Sequence, residues 1–200
     1  MIRTIDKKTV LILIDLQKGI AGNPGIYRVK ETIQQANRLL ECFHRAKLPV
    51  VLVHVDPTQG AWSYARADQS LGFPKDEEKR KEVQEQMNRQ GFCDFVDDLN
   101  REDSDLEVLK HTWNAFFETP LHQLLQNLKV TQIVLGGIST SIGVEGTARA
   151  ASEFGYHLSF PVDAMTDSSR DAHNHSVEVI FPRRGEVGTT DDILRLIVQD

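Results

Sequence analysis

The sequence contains little cysteine. Its 200 residues include two, Cys42 and Cys93, and these form neither a CxxC motif nor the basis of a disulfide framework. Small secreted domains commonly rely on disulfides, whereas cytosolic proteins keep their thiols reduced. We therefore expect a cytoplasmic protein.

Long apolar runs and blocks of positive charge are also absent. The longest aliphatic run, Val10–Ile14, is far shorter than the ~18 residues that a membrane-spanning helix needs. Acidic residues outnumber basic ones by 29 to 23, which gives a net charge of −6. A protein of this charge is poorly suited to nucleic acid or to an anionic membrane, so we expect neither as a partner.

What the sequence does have is enough apolar material for one core. Hydrophobic residues make up 40% of the chain and charged residues 26%, which is typical of a globular protein and excludes disorder throughout. A chain of this length is expected to form a single domain. We therefore treat residues 1–200 as one domain.

Short apolar runs alternate with helical patterns along the chain. This alternation predicts an α/β fold of three layers, in which a mostly parallel sheet carries helices on both faces. We predict six strands: Val10–Ile14, Val50–Val53, Leu106–Leu109, Gln132–Leu135, His157–Pro161 and Glu186–Val187. The predicted helices cover about 29–43, 75–82, 121–128, 142–154 and 171–181, with a last one after Thr189.

Residues 57–105 interrupt this alternation with a polar stretch. It is too long for an ordinary connection, so we interpret it as an insertion that forms a lid or a binding segment. Five aromatic residues lie in it, and they either attach the insertion to the body of the protein or form the wall of a ligand pocket. They are Trp62, Tyr64, Phe73, Phe92 and Phe95.

Ligands of open α/β sheets bind outside the carboxyl ends of the strands, and three features of the sequence lie at such ends. Asp15 follows the first strand, Lys110 follows the third, and the segment 136–140 follows the fourth. Asp15 is either a helix cap or ion-pair partner, or an acid–base group whose pKa depends on burial and on a nearby cation. Lys110 is either an ordinary solvated lysine or that cation.

The segment after the fourth strand is rich in glycine and leads into a helix. Such a turn presents backbone N–H groups and the positive end of the helix dipole, which together suit an oxyanion or a carboxylate. The segment contains no GxGxxG motif and no Walker A lysine, so it does not indicate a nucleotide site.

Taken in order, these motifs resemble the isochorismatase-like hydrolase superfamily, which has the cysteine hydrolase fold. The matching segments are Asp15-x-Gln17, Lys110, Ala115-Phe116-Phe117-x-Thr119-x-Leu121, Gly137-Ile138-Ser139-Thr140-x-x-Gly143-Val144-x-x-Thr147-Ala148-Arg149, Asp163-Ala164 and Thr190-Asp191-Asp192-Ile193-Leu194. Each motif alone is weak, but their common order covers nearly the whole chain except residues 57–105.

The resemblance implies a Rossmann-like sheet with the site at the strand ends. Most members of the superfamily split C–N bonds with an Asp–Lys–Cys triad. Asp15 matches the aspartate and Lys110 the lysine, but Gly143 occupies the position of the cysteine. A cis peptide bond is common before the turn, and its position here would be Ile138–Ser139. Oligomers are usual, which implies a homo-oligomer, either a dimer or a tetramer.

Glycine cannot form a covalent intermediate, so the usual nucleophilic amide hydrolysis is excluded. True isochorismatases, which hydrolyse a vinyl ether, resemble this sequence in having glycine there. We therefore predict a hydrolase in which Asp15 acts as acid or base, Lys110 is its electrostatic partner and no cofactor or metal takes part. The alternative is a non-catalytic protein of the same fold that binds a metabolite or a partner. Predicted substrate-binding residues are Gln17, Trp62, Phe116, Ile138 and Ser139.

Several weaker signals favour structural roles. His54-x-Asp56 reverses the order of a metal-binding pair found in nicotinamidase-type relatives, so we expect it to form hydrogen bonds at a strand end. Asp171, His173 and His175 do not share one helix face, which does not favour a metal cluster. Ser139 and Ser141 are expected to make capping or polar contacts, and Arg149 a structural ion pair.

Overall fold

The computed structural model describes residues 1–65 and 72–197, which form an α/β fold around one parallel sheet. The strands are β1 (Thr9–Ile14), β2 (Val50–Val55), β3 (Leu106–Lys110), β4 (Gln132–Ile138), β5 (His157–Pro161), β6 (Met165–Thr166) and β7 (Glu186–Gly188). The α-helices are α1 (Lys18–Ala21), α2 (Val29–Arg45), α3 (Ala61–Tyr64), α4 (Glu77–Arg89), α5 (Leu121–Asn127), α6 (Glu145–Glu153), α7 (Arg170–His175) and α8 (Thr190–Ile197).

Short turns of other helix types adjoin these elements. Turns of 3₁₀ helix cover Pro57–Gln59, Val162–Ala164 and Phe181–Arg183, and π-helical turns cover Thr140–Val144 and Ser176–Ile180. The predicted helix at 142–154 therefore begins earlier, as a π-helical turn that runs into α6. The predicted helix at 171–181 continues from α7 through a π turn into a 3₁₀ turn.

The strand order in the sheet is β3-β2-β1-β4-β5-β7, and β6 pairs with the end of β4. The predicted mostly parallel sheet is confirmed, but within residues 1–65 and 72–197 it has seven strands instead of six. The additional strand, β6, is two residues long and pairs Met165 with Gly137 and Thr166 with Ile138. A two-residue strand is too short to show an apolar pattern, which is why the sequence did not reveal it.

The central strand β1 is buried on both faces, as the continuous apolar run at its position predicts. Val10, Ile12 and Ile14 face a core cluster that includes residues of α5 and α6. Leu11 and Leu13 face a second cluster that includes residues of α2 and α8. Strand β1 therefore ends between two packed layers, which fixes the position of the residue that follows it.

The insertion 57–105 is anchored beside the end of β1. Its exposed helix α4 is capped at its N-terminus by Asp76, whose side chain accepts a hydrogen bond from the Lys79 backbone N–H at 2.9 Å. Residues 92–96 then return along residues 16–19, and their backbone groups bond at 2.8–3.1 Å. Residues 92–96 of the insertion thus lie beside the carboxyl end of β1. In the described part of the chain, no helix has the length and apolar character needed to cross a membrane.

Gly137 is expected to be essential to the pairing of β1 with β4. It has a φ of 121°, and a Cβ atom there would lie 2.1 Å from the Ile14 carbonyl oxygen. Gly155 also has a positive φ, 83°, but no atom lies within 4 Å of its Cβ position. Gly155→Ala should lower the free energy of unfolding by about 1 kcal/mol, and Gly137→Ala by about 3 kcal/mol or more. Urea unfolding measures both, and equal losses would contradict the packing constraint.

Candidate active site

Residues from three strand ends meet at the carboxyl edge of the sheet. Asp15 follows β1 with a φ of 52°, and Lys110 is the last residue of β3. The Lys110 ammonium crosses over β2 and lies 2.8 Å from Asp15 Oδ2. It also donates to the Thr112 carbonyl oxygen at 3.1 Å. Only 2% of the lysine side chain and 8% of the aspartate side chain are exposed, so this is a buried ion pair.

Burial dominates the ionisation of Asp15. Loss of hydration raises the pKa of its carboxyl group, while Lys110 and the more distant His54 act in the opposite direction with smaller effect. Asp15 Oδ2 bonds to Lys110, whereas Oδ1 is buried without a hydrogen-bond partner among the described residues. The carboxyl group is therefore easier to protonate than an exposed aspartate, and one of its oxygens has no partner in the described structure.

Gly143 lies opposite this pair, in the π-helical turn Thr140–Val144 that follows β4. A Cβ atom at this position would lie 3.3 Å from Asp15 Oδ2 and 2.8 Å from Ile14 Cγ2. A side chain at residue 143 would thus point at the carboxyl group and displace Ile14. The peptide bond between Ile138 and Ser139, where β4 enters the turn, is cis.

A cavity of about 210 Å³ opens between these elements. Six of its lining residues were singled out as site candidates from the sequence: Asp15, Trp62, Lys110, Ile138, Ser139 and Gly143. The other lining residues are Ile20, Val55, Pro57, Phe92, Thr112, Trp113 and Ile142. The cavity therefore has a charged pair against walls that are largely apolar.

Trp113 is the main wall residue that sequence reasoning missed. Its ring centroid lies 5.2 Å from that of Trp62, whose indole N–H donates to the His111 carbonyl oxygen at 2.8 Å. Trp113 comes three residues after Lys110, and this position was the only available signal. Of the insertion aromatics, Trp62 and Phe92 line the cavity, whereas Phe95 stacks on His54 at 5.1 Å. Trp62 and Phe92 thus contact the cavity and Phe95 packs on the body of the protein, while a role in ligand binding stays a prediction.

Two predicted substrate-binding residues lie outside the cavity. Gln17 is fully buried, and its side-chain amide donates to the Val55 and Phe92 carbonyl oxygens at 3.0 Å and accepts from the Val55 N–H at 2.7 Å. These bonds use the amide to join β2 to the insertion. Phe116 is buried and packs on the ring of Phe154 at 5.3 Å. The expectation that Gln17 and Phe116 contact substrate is corrected accordingly.

The residues of the weaker signals make local contacts. His54 Nδ1 lies 3.0 Å from the Cys93 carbonyl oxygen, and Asp56 accepts from the Thr58 N–H at 3.0 Å. Arg149 pairs with Glu145 at 2.8 Å, as expected. In residues 1–65 and 72–197, no group of three or more His, Cys, Asp or Glu side chains is arranged to hold a metal ion.

A second carboxylate, Asp167, supports the turn from outside the cavity. Its Oδ2 accepts hydrogen bonds from the Ser141 backbone N–H at 2.7 Å and from Ser141 Oγ at 2.8 Å. The neighbouring Thr140 hydroxyl donates to the Thr166 carbonyl oxygen at 3.0 Å. Ser141 therefore makes the polar contact expected of it. Its partner Asp167 was not found from the sequence, because nothing in its local pattern distinguishes it from a surface aspartate.

A larger cleft, of about 580 Å³, lies at the opposite, amino edge of the sheet. Its His44 already pairs with Asp105 at 2.7 Å. In parallel α/β sheets ligands bind at the carboxyl edge, so we take the smaller cavity at that edge as the candidate active site.

Comparison with known proteins agrees with this architecture. The family model described as the Isochorismatase domain matches residues 9–192. The chain belongs to the isochorismatase family. The uncharacterized isochorismatase family proteins YecD of Escherichia coli and YwoC of Bacillus subtilis are 36% and 34% identical to it, over 96% of this chain and 97% and 95% of their own lengths.

A solved isochorismatase family structure from Burkholderia thailandensis has the same fold. It superposes with a TM-score of 0.79 at 29% identity and covers 99% of this chain and 100% of its own. Members of the isochorismatase family are hydrolases, and on that basis this chain is assigned to the hydrolases.

Neither cysteine of this isochorismatase-family chain lines the cavity. Cys42 is buried in α2. Cys93, in the insertion, is half-buried, and burial together with the charges of Asp56, Asp94 and Asp15 raises its pKa to about 11. A thiol with that pKa is almost entirely protonated near neutral pH and is a poor nucleophile.

The titration of Asp15 should be visible in the pH dependence of stability. Because the folded-state pKa is raised, the folded protein binds the proton more tightly than the unfolded chain does. The contribution of Asp15 to the free energy of unfolding therefore falls as pH rises from about 4 through the folded pKa. The free energy of unfolding of the wild type minus that of Asp15→Asn should decrease over that interval in urea unfolding. If this quantity instead increases with pH, Lys110 lowers the pKa of Asp15.

Cys93 should be unreactive near neutral pH. Iodoacetamide should modify it slowly at about pH 7 and faster as the pH approaches the thiol pKa, because only the thiolate reacts. Cys93→Ala should retain the ligand binding or turnover of the wild type, with Cys42→Ala as the control for labelling of the other thiol. Rapid alkylation at neutral pH that also abolishes activity would identify Cys93 as a nucleophile and contradict this prediction.

Proposed function

We propose that this chain hydrolyses a small carboxylate-bearing metabolite by acid–base chemistry of Asp15, without a covalent cysteine intermediate. Among such metabolites, the leading candidate is an enol ether, and a related ester or amide is the other candidate. The proposal rests on one observation above all: a buried Asp15–Lys110 pair faces a glycine, Gly143, at the position where the resemblance assigns a cysteine.

Glycine at this position leaves the site without a covalent nucleophile. A Cβ atom at residue 143 would lie 3.3 Å from Asp15 Oδ2 and 2.8 Å from Ile14 Cγ2, so the missing side chain lets the turn approach Asp15 and Ile14 closely. Cys93 does not replace the missing thiol, because its raised pKa, about 11, keeps it protonated. Chemistry at this site therefore depends on proton transfer and on electrostatic stabilisation.

Proton transfer from Asp15 provides a complete reaction path for an enol ether. Because Oδ2 accepts a hydrogen bond from Lys110, the proton of the neutral carboxyl group sits on Oδ1, which has no partner in the described structure. Asp15 delivers this proton to the terminal carbon of the enol ether, and the C=C electron pair forms the new C–H bond. Water then attacks the resulting oxocarbenium ion. The hemiketal collapses to a keto acid and an alcohol, and Asp15 regains a proton from the attacking water.

Lys110 has two functions in this scheme. It holds the Asp15 carboxyl group in one orientation, and its positive charge interacts with a substrate carboxylate or with the oxygen on which charge develops. An ammonium group has three N–H donors, and those of Lys110 bond to Asp15 and to the Thr112 carbonyl oxygen in the described structure. One Lys110 donor therefore remains for substrate.

The cavity limits the size and polarity of the substrate. Its volume, about 210 Å³, lies below the ~300 Å³ at which pockets for drug-sized ligands begin. Trp62, Trp113 and Phe92 supply flat apolar walls, which suit an unsaturated or ring-shaped group. A compact molecule with one charged end and one apolar end meets both conditions.

Asp15→Asn is the direct test of the proposed function. Purified protein is offered isochorismate and a panel of small esters and amides, and keto acid or ammonia release is measured. The wild type should turn over at least one of these substrates, and Asp15→Asn should lose at least about 100-fold in kcat because the proton donor is removed. Turnover that continues unchanged in Asp15→Asn would exclude the mechanism.

Two further measurements distinguish the alternatives. Gly143→Ala retains Asp15 and Lys110 but places a methyl group against the carboxyl group, so it should also reduce turnover if substrate occupies that space. A wild-type protein that is stabilised by small carboxylates in thermal unfolding and converts none of them is instead a binding protein of the same fold. The proposed cytoplasmic location and homo-oligomeric state are independent of this mechanism.

A further inference from the structure

The turn Thr140–Val144 has one side in the cavity and another side held by a buried carboxylate. On the inner side, Ile142 and Gly143 line the cavity. On the outer side, Ser141 donates from its backbone N–H and from its hydroxyl to a single oxygen of Asp167. Asp167 is 1% exposed and does not line the cavity.

The short segment that ends in Asp167 contacts this part of the cavity wall at two places. Strand β6 pairs with Gly137 and Ile138 immediately before the turn. Asp167 follows β6 directly and binds the turn itself, while its other oxygen accepts from the Ser169 N–H at 3.2 Å. The distances of 2.7 and 2.8 Å to Ser141 are those of charge-assisted hydrogen bonds, which are stronger than neutral ones.

We propose that Asp167 is a positioning residue for the reaction at Asp15 and Lys110. By holding Ser141 it fixes the backbone of the turn that carries Gly143, and so fixes where the substrate carboxylate sits relative to the Asp15 proton. This inference rests on the proposed function. Its functional consequence is weaker substrate binding when the contact is lost, without a change in the acid–base groups themselves.

The fold offers a matched control at Asp163. Its Oδ1 accepts from the Thr190 backbone N–H at 2.7 Å and from the Thr190 hydroxyl at 3.0 Å. This contact has the same chemistry as the one between Asp167 and Ser141, but it holds α8, which contributes no residue to the cavity wall. Asp163 is partly buried, so Asp163→Asn reproduces the loss of a doubly hydrogen-bonded carboxylate without disturbing the turn.

The site also contains its own optical probe. The chain has two tryptophans, Trp62 and Trp113, and both line the cavity. Their fluorescence therefore reports on ligand entry without an assay of turnover. Pyruvate, as a small keto acid, serves as the titrant.

The experiment compares Asp167→Asn with Asp163→Asn. Asp167→Asn should raise the Kd for pyruvate, and the KM of any substrate found, about tenfold or more, because a displaced turn moves the cavity wall at Ile142 and Gly143 relative to Asp15 and Lys110. The pH profile of kcat should keep its shape, since Asp15 and Lys110 are unchanged. Asp163→Asn should change the Kd less than about twofold at a similar loss of melting temperature. Equal changes in Kd from the two variants would overturn the proposal.

Two outcomes need separate readouts. If pyruvate and other small carboxylates leave wild-type fluorescence unchanged, carboxylate binding, and with it the proposed function, fails. Amide hydrogen exchange at residues 139–144 then decides the positioning role: faster exchange in Asp167→Asn alone supports it, and unchanged exchange overturns it.

If Asp167→Asn does not fold, Ser141→Ala provides the test. This variant removes one of the two donors to Asp167 and should give a smaller increase in the same Kd, and no increase rejects the proposal.

Discussion

The ion pair between Asp15 and Lys110 joins two residues that are 95 positions apart in the sequence. It forms because β1 and β3 lie on either side of β2 in a parallel sheet, so that all three strands end at one edge. The two charges are removed from water almost completely, and such a pair is stable only where its geometry and remaining contacts are good. The packed layers on both faces of β1 hold Asp15 in place, and the Thr112 carbonyl oxygen gives Lys110 a second acceptor.

Burial has opposite consequences for the two ionisable groups that could perform chemistry here. It raises the pKa of Asp15, which makes the carboxyl group easier to protonate. It also raises the pKa of Cys93, which makes the thiol a poor nucleophile. Since Gly143 has no side chain at all, the position where the resemblance assigns a cysteine holds no thiol beside Asp15.

Residues of the insertion and residues at the strand ends together form the cavity. The insertion contributes Trp62 and Phe92 to the wall, and the side-chain amide of Gln17 connects it to β2 by donating to the Phe92 and Val55 carbonyl oxygens. Gln17 lies within a sequence motif of the site, yet its amide is used entirely in structural contacts. A motif residue can therefore be required for the site because it holds an element in place, and Asp167 has a comparable relation to the turn after β4.

The sequence by itself determined the α/β class, the parallel sheet and the strand ends at which we propose that a ligand binds. These follow from local patterns, since apolar runs and helical periodicity are properties of neighbouring residues. It also singled out Asp15, Lys110 and Gly143, because charge and glycine at strand ends are visible without coordinates. Only the tertiary structure decided that Asp15 is more strongly affected by burial than by Lys110, that Trp113 lines the cavity while Phe116 does not, and that β6 and Asp167 support the turn. Each of these depends on contacts between residues far apart in the chain, and hydration, packing and pairing across such distances leave no periodic trace in the sequence.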